Sequence, residues 1–355
     1  MASITFDKFG GGLDVRRGSS VSDSDKLRIA TNVYITTGKT IQKRPCLRKV
    51  ATLETGTVGL RAGNGVLNTF YGDASVSITH ANTLFKANFV LHNLTTPQPT
   101  KVHFSEVFNG FLYVAVEYND GSILHHYLDG TTPTRIVDTN CPNTKQVLKQ
   151  QSKIYAKGNE VVRYCATNLP RDWTTASDAG FIPTGIQAIG STECTALGQF
   201  GNKKMVVFTV DGLQVWAVDP NPSLNNLESI VSNIGTRHSK SPIGFSGDIF
   251  FLADQGFRSI TVASINENLK DIDIGSAIDD LLTVPVDPKS VFYSGLGQFW
   301  SIDGTNVFVY SFSRTAKLSA WSRFTLPVNT DDATVLNGEL YIRSGNTVYV
   351  MVPRF

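Results

Sequence analysis

Thr209-Val210-Asp211-Gly212-Leu213-Gln214-Val215-Trp216 is the stretch that decides how the chain is read. Apolar residues run into an Asp-Gly pair and out again. That is the strongest short-range signal for a β-hairpin, because a type I′ turn needs positive φ at both central residues. The shape returns at Ser301-Ile302-Asp303-Gly304-Thr305-Asn306-Val307-Phe308 and, more loosely, around Gly121, Gly158, Gly256 and Gly345, with a weaker copy at Tyr71-Gly72-Asp73. One glycine per copy gives a unit recurring about every 45 residues. Hairpins at that period are the mark of propeller blades, and the helical spacing of a solenoid is absent. The reading is an all-β fold, a single β-propeller of seven blades, with six and eight also compatible with the spacing. An extended N-terminal arm precedes it.

Seven blades of about 45 residues take up about 315 of the 355 residues. The remainder falls at the N-terminus, so residues 1–50 are assigned to the arm and 51–355 to the propeller. The formal charge of +2 is unevenly spread. Residues 1–50 hold ten Lys or Arg against four Asp, an excess of +6, which leaves −4 on the rest. A basic arm on a mildly acidic body suits an arm that docks on something negative. Cys46, Cys141, Cys165 and Cys194 show no paired short spacing, so neither a zinc site nor a redox pair is indicated, and they read as reduced thiols of a cytoplasmic product. No apolar run approaches the roughly 18 residues of a membrane span, and no signal peptide opens the sequence.

Within the arm, Ser19 to Asp25 reads as a loop, Leu27 to Ala30 as a single helical turn, and Asn32 to Ile35 as a strand turning at Thr36 to Lys39. Pro45 then stops any regular ladder. Strands follow closely from Val58 onward, and Val348 to Val352, just before Phe355, is expected to close the ring. Asp271 to Leu282 breaks the pattern, and Ser276 is placed to cap a short helix over Ala277 to Leu282.

No residue recommends itself for catalysis. Asp211 and Asp303 approach the sialidase Asp box, but each glycine falls one position early, and the box is itself a structural turn. Asp271-x-Asp273-x-Gly275 opens like a calcium loop, yet Ser276 and Leu282 stand where Gly and Glu are needed, so no metal is expected. His125 and His126 are neighbours on a strand and point to opposite faces. Arg237, His238 and Lys240 form a basic loop between blades that could face phosphates or a neighbouring subunit. No cofactor is implied.

Gly11-Gly12-Leu13, Asn32, Gly38 and Ile41-Gln42-Lys43-Arg44-Pro45-Cys46-Leu47 resemble the opening of podovirus tail nozzle proteins of the tail tubular protein B type. Asn168 to Trp173, Asp178-Ala179-Gly180, Gly201 to Trp216 and Asn233 through Leu252 resemble that family's propeller, shared more loosely by packaged-DNA stabilisation proteins of other short-tailed phages. The resemblance implies a virion protein, a homohexameric ring at the phage tail, made in the host cytoplasm and attached to the head-tail adaptor. Genomic DNA would pass through its lumen without sequence-specific binding. It also implies subunit or adaptor contacts in the arm, for which Arg16, Arg17, Gln42, Lys43, Arg44 and Pro45 are the candidates. Larger members carry a lateral insertion and a long C-terminal part for which this chain has no room, so contacts with tail fibres, spikes or a tip protein stay open. Two other classes fit a propeller: a carbohydrate-active enzyme, which needs two carboxylates converging at one mouth, and a monomeric interaction module.

Overall fold

Leu112 to Val116, Met205 to Phe208 and Ile249 to Leu252 are continuous runs of apolar and aromatic residues, the pattern of short strands covered on both faces, and every one of them is buried. They are second strands of three of the sheets in a computed structural model that describes residues 8–18, 22–72, 78, 80–90, 97–130, 132–245, 247–262, 269–282, 285 and 287–353. The expectations attached to Ser19, Asp73, Ala263, Phe355 and the Asp271 side chain lie outside the described residues.

Seven sheets follow one another along the chain in a β-propeller arrangement. The first has three strands, Thr57–Gly63, Val66–Tyr71 and Phe85–Phe89, the last two running parallel. The others have four. The second sheet takes Pro99–Phe108, Phe111–Tyr118, Ile123–Asp129 and Thr132–Arg135, and the third Val147–Gln150, Lys153–Lys157, Val162–Tyr164 and Gly180–Ile182. The fourth runs from Ala196–Phe200 to Asn226–Ser232 and the fifth from Ile243–Phe245 to Leu269–Asp273. The sixth takes Lys289–Tyr293, Gln298–Asp303, Asn306–Ser313 and Leu318–Thr325. The seventh takes Asp332–Leu336, Glu339–Ser344 and Thr347–Val352, and its fourth strand is Cys46–Thr52. The closing sheet is therefore completed from the N-terminal part of the chain: Val352 pairs with Cys46 and Thr347 with Thr52. Propeller strands begin at Cys46, inside the span assigned to the arm.

The chain divides into two compact units, Leu53–Asp254 with Ile260–Lys270, and Met1–Thr52 with Gln255–Ser259 and Asp271–Phe355. In the first, neighbouring sheets share apolar layers: Phe70 and Val102 with Val114, then Tyr113 with Ile154 and Trp173, then Tyr155 with Met205 and Trp216. In the second, Trp300, Val309, Leu340 and Ile342 pack with Tyr34.

The turns correct the opening reading in one respect. Neither Asp211 nor Gly212 has positive φ. The Thr209 hydroxyl accepts from the Gly212 N–H at 3.0 Å, a side-chain turn, and a Cβ on Gly212 would meet the Val231 carbonyl at 2.9 Å. At Ser301 to Phe308 the hairpin is real, but its two-residue loop is Gly304-Thr305, with φ +60 at Gly304, the type II′ pattern. Type I′ geometry belongs to Asn64-Gly65, Asn109-Gly110 and Asn337-Gly338, where both φ values are positive.

Two local expectations are also revised. Leu27 to Ala30 is not a helical turn: Lys26–Leu27 pairs in parallel with Gly12–Leu13, and Arg28 to Ala30 follow without helix. The expected helix after Ser276 shrinks to a 3₁₀ turn at Asp279–Leu281 with no side-chain cap, because the residue at its cap position is the apolar Ile278, while the Ser276 hydroxyl accepts from Arg16.

Candidate functional site

The arm residues that carry the family resemblance lie in segment 8–44, which packs on the sixth sheet of its own chain. Gly12 has φ +61, and a Cβ there would stand 2.8 Å from the Ala320 side chain, so glycine lets the segment touch the outer strand Leu318–Thr325. Leu27 and Ile35 pack on Leu318 and Ala320. Asn32, at φ 58, donates its N–H to the Arg323 carbonyl at 2.8 Å, and the Arg323 N–H returns a bond to the Ala30 carbonyl at 2.9 Å. The chain then turns back through the hairpin Val33–Ile35 and Ile41–Lys43, with Lys39 at φ 62.

Buried Asp14 takes bonds from Arg16 Nη2 at 2.7 Å and Lys26 Nζ at 3.0 Å. The Arg16 guanidinium, with Lys26, holds its carboxyl well below the usual carboxylate range despite burial. Arg16 is thus committed within its own chain, to Asp14 and to the Ser276 hydroxyl. Gln42 accepts from the Tyr34 hydroxyl at 2.8 Å, and Pro45 is buried. Arg44 donates through Nε to Asn32 Oδ1 at 2.9 Å and through Nη1 to the Pro45 carbonyl at 3.0 Å. Asn32 Oδ1 also accepts from the Thr325 N–H at 3.0 Å, so one amide oxygen joins the arm to the propeller strand. Of the six candidates, Arg16, Arg17 and Lys43 are exposed, Arg16 while bonded within its own chain, and Arg48 and Lys49 on the fourth strand of the seventh sheet are exposed as well.

The basic loop does not act as one cluster. Arg237 is exposed and its Nε donates to Asp254 at 3.0 Å. Lys240 is half-buried, and its charge reaches His103. The near misses are structural: Asp211 accepts from the Ser191 N–H, Asp303 from the Asp287 N–H, and Asp273 from the Gly275 and Ser276 N–H groups while facing Arg258 at 3.4 Å. Among the described residues no group of three or more His, Cys, Asp or Glu gathers as a metal site.

Sequence reasoning missed three features. Lys153 is fully buried, and its ammonium donates to Asp178 Oδ1 at 2.5 Å and to the Cys165 carbonyl at 3.3 Å, so a buried strand lysine is paired with a partly exposed loop carboxylate. His103 on the second sheet bonds Glu117 through Nε2. A cleft of about 380 Å³ opens between the Asn109-Gly110 turn and the loop Asn168 to Asp172. Lys153 opens a strand that ends in a second lysine, Lys157, so nothing local marks it as the buried one, and the cleft joins residues about 60 positions apart and likewise leaves no local signal.

No family model and no curated protein matches the chain. Among solved structures it is similar to the extracellular domain of a putative one-component system from B. thetaiotaomicron, with a TM-score of 0.53 at 10% identity, covering 86% of this chain and 39% of that one. The N-terminal domain of Nup159 aligns over 91% of this chain and 98% of its own at 11% identity, with a TM-score of 0.48. A chain of the mitotic checkpoint complex aligns over 88% and 96% at 10% identity, with a TM-score of 0.49. At these identities the likeness is one of fold, and the fold is a β-propeller.

Proposed function

We propose that this protein is a structural virion subunit, one of six in a tail nozzle ring that attaches to the head-tail adaptor and forms part of the DNA ejection channel. The propeller fold itself supports the broader role of a structural or interaction module. The single observation that carries the finer reading is the agreement between resemblance and geometry. Gly12, Asn32 and Arg44, among the residues that resemble the nozzle family, are those that fasten the arm to the sixth sheet. With Arg16 and Arg44 bonded internally, Arg17 and Lys43 are the two cations among the named candidates left to meet a neighbouring subunit or the adaptor. The net −4 of residues 51–355 suits a channel wall that does not grip passing phosphates.

Mass photometry and electron microscopy of the purified protein test the assembly. A ring of six 38.7 kDa subunits supports the reading. A monomer at all concentrations and moderate salt overturns it and leaves the interaction module.

A further inference from the structure

The cleft on the second and third sheets has a composition that selects a ligand. The Tyr127 ring packs against Phe111, tilted by 40° with centroids 4.4 Å apart, and carries the Arg171 guanidinium over it at 4.9 Å. That contact rests the exposed Arg171 fork on an aromatic ring. Yet among the described residues no carboxylate or carbonyl takes any of its five N–H groups. The adjacent Asp172, which also lines the cleft, turns its carboxylate to the N–H groups of Thr174 and Thr175 and to the Thr175 hydroxyl and forms no ion pair with Arg171.

The remaining walls are equally specific. Asn109 and Asn168 are held at φ 49 and 60, and Asn109 Nδ2 donates to the Asn168 carbonyl at 3.2 Å, which ties the two sheets together across the cleft. This leaves the Asn168 amide and the Tyr127 hydroxyl without partners among the described residues. Leu169, 55% exposed, adds an apolar wall.

We propose that this cleft binds a carboxylated sugar unit, a uronic-acid type of pyranose. The planar Arg171 fork matches a carboxylate in bidentate fashion. The amide groups and the phenol suit ring hydroxyls, and Leu169 with the Phe111 edge suits the apolar C–H face of the ring. A phosphate monoester would want further cations or a nest of backbone N–H groups, and no lysine lines the cleft. An extended peptide would want backbone partners, and the loop centre is Pro170, which has no N–H. The volume is near the lower bound of ligand pockets and holds one ring with water. None of the residues lining the cleft belongs to the arm.

Saturation-transfer NMR on the full chain, with D-glucuronate, a galacturonate oligosaccharide, D-glucose, acetate and an acidic peptide as probes, tests this. Glucuronate or the oligosaccharide should bind about tenfold tighter than glucose or acetate. Arg171→Ala should abolish that preference, and Asn168→Gly, which keeps the positive φ, should weaken binding severalfold with the fold intact by circular dichroism. No transfer to either acidic sugar, glucose or acetate binding as well as glucuronate, tighter binding of the peptide, or an Arg171→Ala protein with undiminished affinity would each overturn the assignment.

Discussion

His125 and His126 occupy opposite faces of one strand, as the pleat requires, and each finds a tyrosine. His126 bonds the Tyr118 hydroxyl at 2.8 Å. His125 Nδ1 accepts from the Tyr113 hydroxyl at 2.8 Å and its Nε2 donates to the Thr144 carbonyl at 2.7 Å. Burial pushes the His125 pKa down to about 4, against an unfolded value near 6.5. Burial, with the nearby Lys240 charge, does the same to His103, which Glu117 opposes. The folded state keeps both rings neutral where the unfolded chain takes up protons. Their contribution to stability is therefore complete above about pH 6.5 and is lost as pH falls toward 4. For His125 the loss should reach about 3 kcal/mol. Urea unfolding across that range should show a falling midpoint in the native protein and a flatter one in His125→Gln; parallel curves would exonerate His125. The opposite orientation of the two histidines was legible from alternation alone. Their tyrosine partners were not, because they are set by strand register, which pairs Ala115 with His125.

Hairpins were the legible elements, and their glycines marked the period correctly. Turn type was misassigned at Asp211-Gly212 because the Thr209 hydroxyl offers the Gly212 N–H a bond that replaces positive φ, while the I′ turns sit at Asn-Gly pairs. In the arm, the strand at Val33–Ile35 and its turn could be read locally. Its seat on Leu318–Thr325 could not, since it rests on backbone bonds between residues nearly 300 positions apart. Asn32 is where that seat is most exposed to test. Alanine there would carry an unfavourable φ of 58, costing about 1 to 2 kcal/mol, and would remove the acceptor shared by Arg44 and Thr325. Asn32→Ala should let proteases cut segment 8–44 severalfold faster while the propeller melts almost unchanged. Asn32→Asp should behave as the native protein does, because it keeps the oxygen. Equal resistance in Asn32→Ala would mean that the arm is held elsewhere.

At the scale of the molecule, seven sheets were countable from glycine spacing, but the origin of the last fourth strand was hidden. Cys46–Thr52 carries exposed Arg48 and Lys49 and reads as a continuation of the basic arm. Charge on the outermost strand of a sheet discourages pairing with other chains, so the composition that disguised it has a physical reason. Removing residues 1–44 should leave a folded propeller, whereas removing 1–52 should bare the edge of Thr347–Val352 and give aggregation or a markedly lower melting temperature. Supplying residues 1–52 as a separate peptide should restore the lost sheet. Gel filtration and thermal melting of both truncations decide it, and identical behaviour would deny Cys46–Thr52 a structural role.

That strand also sets an order of events during synthesis. Cys46–Thr52 leaves the ribosome about 300 residues before Thr347–Val352, an interval of tens of seconds at ordinary elongation rates. Leu318–Thr325, the seat of segment 8–44, is made nearly as late. A strand translated early thus finds its partner late, and until Thr347–Val352 is made it must wait without that partner, kept soluble by its own lysines and arginines.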